Sequence, residues 1–212
     1  MPTEHAQQAL NILRDGSQFK WYVIPLLALV VYVYSHEIEK KNWNVVFAGL
    51  AYWGLDWFNE IWNSLVFHFS NYAPCWGAPG GGTAYLLLIG LNIEICFMFS
   101  IAGVAMSKTL PADRAMKILG IPNRAFHAVT GAAFCVVVEI WLHSVGALTW
   151  DWPWWNARNP WLIFLLGYLP FFVVSYWVHD MKTLRQKATV VGAIFAVDIV
   201  GLVLFGAVLG WI

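Results

Sequence analysis

The chain has 212 residues, 60% hydrophobic and 11% charged, with a formal net charge of zero. A water-soluble domain carries about 25% charged residues, and a chain this short cannot hide so much apolar surface in one core, so lipid must act as part of its solvent. The neutral balance excludes a general attraction to nucleic acid, and Cys75, Cys96 and Cys135 provide no disulfide framework.

Residues 1–20 are polar and of mixed charge, without the short apolar run and small-residue cleavage site of a signal peptide. Ala6, Leu10, Leu13 and Phe19 give this segment a weak interfacial, amphipathic pattern. From residue 21 no repeat, linker or low-complexity stretch divides the sequence, so 21–212 reads as a single transmembrane helical domain. Spans fall near 21–35, 45–68, 84–106, 125–148, 160–178 and 189–211, the first of them short enough to call for tilt or shielding. A spanning helix needs about 20 mostly apolar residues. Backbone groups cannot go unpaired in hydrocarbon, which makes these segments helices. The expected fold is an all-α, polytopic transmembrane bundle of about six spans.

Basic residues alternate between the connecting segments. Loops 36–44, 107–124 and 179–188 hold Lys40 and Lys41, then Lys108, Arg114, Lys117 and Arg124, then Lys182, Arg185 and Lys187. The positive-inside rule places these loops in the cytoplasm of a bacterial inner membrane or ER-type membrane, with both termini outside. Arg14 and Lys20, on the outer side, run mildly against that orientation. The two outer loops, SNYAPCWGAPGGGTAY and TWDWPWWNARNPW, are alike in Trp, Pro or Gly and poor in Lys. They read either as an aromatic belt with turns or as a lid that shields a site from water.

Ionisable residues inside the spans carry the functional signal. Span two holds Asp56, Glu60 and Asn63, at i, i+4 and i+7 on one helix face. Span three holds Asn92 and Glu94. In span four, Glu139 and His143 share a face, with Cys135 one turn before them, and span six holds Asp198. A charge at the bilayer centre costs at least ~2.5–3.5 kcal/mol. At ~1.5 Å per residue, Glu60, Glu94 and Glu139 fall roughly 12–14 Å from the outer ends of their spans, Asp56 and Asp198 roughly 18 Å, and His143 roughly 8 Å. Antiparallel helices thus place their acids in one layer, which points to a polar cavity lined by spans two, three, four and six. No Lys or Arg lies within a span to neutralise it. Shared protons, a metal cation or a cationic ligand must do so, unless the acids serve as hydrogen-bonding glue between helices. Trp53 and Trp57, beside this layer, are packing residues or ring faces for a developing carbocation. His36, His127 and His179 read as interfacial.

The stretches AYWGLDWFNEIW and AVDIVGLVLFG resemble counterparts in the integral-membrane terpene cyclases of meroterpenoid pathways, themselves distantly similar to the emopamil-binding sterol isomerases. LIGLNIEICF resembles the span that follows the first motif in that family. The likeness covers three of the six spans. In the family, Trp directly precedes Glu, whereas here Trp57 precedes Glu60 by three residues. The resemblance implies a buried acid, matched by Glu60, that protonates an alkene or epoxide, and an acidic residue in the last span, matched by Asp198. It implies no metal or other cofactor.

The leading expectation is a membrane-embedded acid–base enzyme of the cyclase or isomerase type, acting on a lipophilic, isoprenoid-like substrate. Its general acid would be Glu60, tuned by Asp56, and its base Asp198 or Glu139. Glu94, His143, Asn63, Trp57, Trp53 and Asn92 would bind substrate, with membrane lipid as surroundings and no nucleic-acid partner. Association into an oligomer is left open, and Gly49 and the run Gly80–Gly82 would serve close packing. The first alternative is a metal-dependent enzyme, such as an oxidoreductase, holding Fe, Mn or Mg through Asp56, Glu60, Glu94, Glu139, His143 and Asp198. The second is a proton- or cation-coupled transporter or a non-catalytic membrane subunit.

Overall fold

A computed structural model describes residues 1–79 and 82–212; Gly80 and Gly81 lie outside the described residues. The fold is helical, in the order α1 (Glu4–Ile12), α2 (Val23–Glu39), α3 (Trp43–Ser70), α4 (Ile93–Lys108), α5 (Asn123–Ser144), α6 (Leu169–Asp180) and α7 (Leu184–Gly201). A π-helical turn, Ile163–Tyr168, leads into α6, and another, Leu202–Val208, prolongs α7. Two antiparallel strand pairs, β1 (Leu86–Leu88) with β2 (Leu91–Asn92) and β3 (Lys117–Ile118) with β4 (Ile121–Pro122), introduce α4 and α5.

Three of these helices, Asn123–Ser144, Ile163–Asp180 and Leu184–Val208, are long and apolar enough to cross a membrane. With 17 and 16 residues, α2 and α4 would each rise about 25 Å, short of a ~30 Å hydrocarbon core. The 28-residue α3 is long enough but diluted by Asp56, Asn59, Glu60 and Asn63.

Helix α3 is the axis of the bundle and packs on α4, α6, α7 and α2, while α5 packs mainly on α6. Glycine lets α3 and α4 close up. A Cβ on Gly103 would stand 3.0 Å from the Gly49 Cα, and one on Gly49 2.6 Å from Val104 Cγ2. Small residues at a helix crossing are how membrane bundles gain van der Waals contact. Beside this crossing the Tyr52 ring meets Phe99, Phe171 and Phe172 at centroid separations of 5.8, 5.3 and 5.2 Å, and the four fill the middle of the bundle.

The third expected span is corrected by this structure. Residues 86–92 form a short hairpin instead of helix, and α4 begins at Ile93. The Asn92 side chain caps it by accepting from the Ile95 N–H at 2.8 Å. Leu86, Leu88, Ile89 and Leu91 are buried by protein, so their apolar run reflects an internal hairpin and not lipid exposure.

The N-terminal segment is also tied to protein. In α1 the buried residues are Ala6 and Ala9, whereas Leu10 and Phe19 of the expected apolar side are exposed. The Thr3 hydroxyl donates to Asp151 at 2.5 Å, and Arg14 donates from its backbone and its Nε to the Leu86 and Leu87 carbonyls. Thus α1 sits with the hairpin and the two Trp-rich loops at one end of the bundle. At the other end, Lys108 pairs with Glu37 at 2.5 Å, and the Arg124 guanidinium grips Asp180 through two bonds of 3.0 Å.

Candidate functional site

The face of α3 that carries Asp56, Glu60 and Asn63 turns inward, and all three side chains are buried. The Trp76 indole N–H, from the loop after α3, donates to Glu60 Oε1 at 2.8 Å. Asn63 holds that loop in place. Its amide donates to the Trp76 carbonyl at 2.7 Å, and its Oδ1 accepts from the Cys75 N–H at 2.7 Å. Glu139, on α5, is treated the same way by the second Trp-rich loop, where the Trp150 indole N–H donates to its Oε1 at 3.1 Å. The Tyr168 hydroxyl also faces Glu139, carried there by the π-helical turn before α6. The same turn frees the Gly167 carbonyl to accept from the Asn59 amide at 3.3 Å; such turns often mark functional sites.

The two loops are joined to each other. Gly77 and Thr149, each next to its loop's acid-binding Trp, exchange backbone hydrogen bonds of 3.0 and 2.9 Å. Trp76 stacks on Trp155 with ring centroids 5.6 Å apart, and the Trp152 indole donates to the Ala73 carbonyl at 3.0 Å. Together they close that end of the bundle over the acids.

Beneath them is a narrow slot with about 50 Å³ of room for a water-sized sphere. Asp56, Glu60, Glu139 and Asn59 supply its polar wall, and Trp76, Trp155, Phe99, Tyr168 and Phe171 its aromatic wall. No Lys or Arg lines it among the described residues. Glu60 Oε2, Asp56 Oδ2 and the Trp155 indole nitrogen are buried there without a hydrogen-bond partner. Unpaired polar atoms in such surroundings carry a desolvation cost of about 1–3 kcal/mol each, which stability alone does not explain.

Several expected site residues lie elsewhere. Asp198 is buried with both oxygens unpartnered but does not line the slot; it stands behind α3 near Gly54 and is an electrostatic neighbour of Asp56. Because α4 starts late, Glu94 is in its first turn and not mid-span. Glu94 is saturated there by the Thr83 hydroxyl at 2.6 Å, the Ala84 N–H at 2.7 Å and the Tyr22 hydroxyl. Asn92 is the helix cap already described. His143 leaves the slot, donates from Nδ1 to the Leu148 carbonyl (3.1 Å) and stacks on Trp150 at 4.5 Å, so it meets Glu139 through that indole. Trp53 donates to Cys96 Sγ at 3.3 Å, and Trp53 and Trp57 pack around Ile61, Leu88 and Leu91, outside the slot. The six-residue metal set is therefore dispersed, and among the described residues no group of three His, Cys, Asp or Glu converges as metal ligands.

Trp76, Trp150, Trp155, Tyr168 and Asn59 belong to the site without having been singled out. The likeness of the two outer loops was the available signal for the tryptophans.

A helical bundle that buries carboxyl groups without cations and turns apolar helices outward is an integral membrane protein. Residues 3–207 match the model described as "Uncharacterized membrane protein family", and the chain belongs to that family. It is similar to a protein of Archaeoglobus fulgidus described as "Uncharacterized protein", 59% identical over 212 residues and spanning 100% of both chains. A shorter protein of that organism, under the same description, is 53% identical over 53 residues, 25% of this chain and 95% of its own length. No solved structure matches the chain.

Proposed function

We propose that the slot is the active site of a membrane-embedded acid–base enzyme that acts on a lipophilic, isoprenoid-like substrate. One observation carries the reading. Glu60 and Glu139 each have one oxygen fixed by a loop indole and share one narrow slot, yet differ in how the second oxygen is left. Asn63 stands near Glu60 as Tyr168 stands near Glu139, but Glu60 Oε2 is the oxygen that is buried without a hydrogen-bond partner and so free to carry and deliver a proton. Glu60 is then the general acid and Glu139 the base, with Asp56 between Glu60 and Asp198 as the group that tunes the acid. Protonation of an alkene or epoxide by Glu60 leaves a carbocation. The faces of Trp76, Trp155 and Tyr168 shelter it until a carbon-bound proton passes to Glu139. Helices α2 to α7 are all read as crossing the membrane, the short α2 and α4 through a locally thinned bilayer, with loops 36–44, 107–124 and 179–188 on the cytoplasmic side.

The alternatives draw less support. A transporter needs a polar path onward from the acids, but Tyr52, Phe99, Phe171 and Phe172 fill the bundle there. A metal enzyme needs a converging donor set.

The test is conversion of isoprenoid alkenes and epoxides by purified protein in liposomes made up in D2O. The expected product carries one deuterium at the protonated carbon, and Glu60→Gln and Glu139→Gln abolish its formation while leaving the thermal unfolding transition in place. Conversion that persists in Glu60→Gln overturns the assignment.

A further inference from the structure

The slot is closed at the loop end by the Gly77–Thr149 bridge and the Trp76–Trp155 stack, and toward the middle of the bundle by aromatic rings. Its remaining side faces α4 and α5, which do not pack closely on each other: α4 leans on α3 and α2, and α5 on α6. A lateral groove of about 410 Å³ runs along this seam, far roomier than the slot's 50 Å³. Leu26, Phe97 and Ile101 line its outer part. Ile95, Met98, Leu142 and Leu148 line both groove and slot, so the two spaces share a wall. The Met98 side chain is 46% exposed at this junction. Methionine is unbranched and adaptable, the side-chain type that yields most easily to a passing chain. On α5, Phe134, Val137 and Trp141 are exposed, as lipid-facing residues of a membrane helix should be. Among the described residues the groove's one acid is Glu94, already saturated by Thr83, Ala84 and Tyr22, so it attracts no ligand.

We infer that the α4–α5 seam is a lateral portal through which a membrane-dissolved molecule with a slender apolar chain enters from the lipid, its reactive end advancing past Met98 to Glu60 and Glu139. The chemistry at the inner end rests on the acid–base reading above; the route of entry does not. An apolar groove that shares a movable wall, Met98, with an acid-lined slot suits an occupant with an apolar tail and one polar or reactive end. The slot's width admits a chain end and not a bulky ring system.

Carbodiimides test the route without knowledge of the natural substrate. A protonated carboxyl adds to a carbodiimide: its proton goes to one nitrogen and its oxygen bonds the central carbon. The acyl group then migrates to nitrogen, giving a stable N-acylurea with no atom lost and no redox change. N,N′-Dihexylcarbodiimide, with two unbranched chains slender enough for the slot, dissolves in the bilayer, whereas a cationic carbodiimide stays in water. With the protein in phosphatidylcholine liposomes, peptide mass spectrometry reads the adduct on Glu60 and Glu139. The lipophilic reagent is expected to modify at least one of them, and the cationic reagent neither. Met98→Trp should slow the lipophilic reaction about tenfold, on the order of the decade or more by which mutations alter association rates, and Met98→Ala should speed it. Opposite shifts in the two variants separate gating from loosening of the fold, which would speed both reagents in both proteins.

Equal rates in wild type and both variants overturn the portal, as does equal labelling by the cationic reagent or no labelling by either. A protein whose turnover dies in Glu60→Gln but whose labelling ignores Met98 keeps its acid and loses its portal. One that converts substrate as Glu60→Gln but is gated at Met98 does the reverse.

Discussion

Trp76 reaches back sixteen residues to place its indole N–H 2.8 Å from Glu60 Oε1. The bond fixes one carboxyl oxygen and leaves the other buried and bare. A neutral, non-titrating donor orients the acid without supplying a positive charge that would hold the carboxyl ionised. The Trp150–Glu139 pair repeats the device from the other loop, and the Gly77–Thr149 bridge ties the two donors to one rigid cover.

Trp76→Phe should therefore cost more than its lost contact area. The phenyl ring can still lie against Trp155, but Glu60 Oε1 is left a buried acceptor with no donor. The expected penalty is about 1–3 kcal/mol, read as a lower unfolding temperature in detergent. Trp76→His, which keeps a ring N–H, should recover part of it. A Trp76→Phe protein as stable as wild type would mean that this indole does not restrain the acid.

Gly90, in the turn between β1 and β2, is the tightest point of the site. A Cβ there would lie 2.4 Å from Asn63 Nδ2, 2.6 Å from Glu60 Oε2 and 2.7 Å from Trp76 Nε1. Gly90→Ala must push apart the acid, its donor and the loop clamp together. Overpacking of this kind costs about 1–3 kcal/mol, so the variant should melt earlier and lose carbodiimide labelling selectivity at Glu60. Gly192→Ala, where nothing lies within 4 Å of the added carbon, is the matched control and should change neither reading.

Much of this was legible in the sequence where the information is local. The 3.6-residue period puts Asp56, Glu60 and Asn63 on one face, and that face does turn inward. The same geometry explains why Trp53 and Trp57 miss the slot: each is rotated about 60° from the acid three residues after it, enough to face α4 and α7 instead. Long-range events were not legible. An apolar stretch such as Tyr85–Leu91 looks the same whether lipid or protein covers it, so the sequence predicts helix where the hairpin stands and sets Glu94 too deep. Asn63 looked like a polar wall residue but is a clamp for a loop twelve residues on. Neither spacing nor composition says which of fourteen tryptophans will find a buried carboxyl.

The opposite end of the bundle offers a test of the frame independent of the site. Asp180, at the end of α6, receives two bonds of 3.0 Å from Arg124 and lies 3.4 Å from Arg114. Arg124 also donates to the Pro111 carbonyl at 2.7 Å, so one side chain ties α5, the preceding loop and α6. Arg124→Ala should destabilise the protein by about 1–3 kcal/mol. Because the pair is 19% exposed on each side, the loss should persist at high salt, where an exposed pair would already be screened. Carbodiimide labelling of Glu60 should be unaltered, and a change there would tie this end of the bundle to the slot.

Asp198 separates an acid that works from an acid that waits behind the site. Both its oxygens are buried and unpartnered, and it neighbours Asp56 across the Gly54 crossing. Two adjacent carboxyls without a cation disfavour the folded state whenever both are charged. Asp198→Asn replaces one with an amide that can donate to Asp56. The variant should unfold at a temperature equal to or above that of wild type, while Asp56→Asn, which alters the slot wall, should impair conversion. If Asp198 were the proton acceptor, Asp198→Asn would abolish conversion with the fold intact, and the base would have to be moved from Glu139 to the last helix. Slower conversion with unchanged product would instead make Asp198 a positioning residue for Asp56, and the double variant would then lose no more than Asp56→Asn alone.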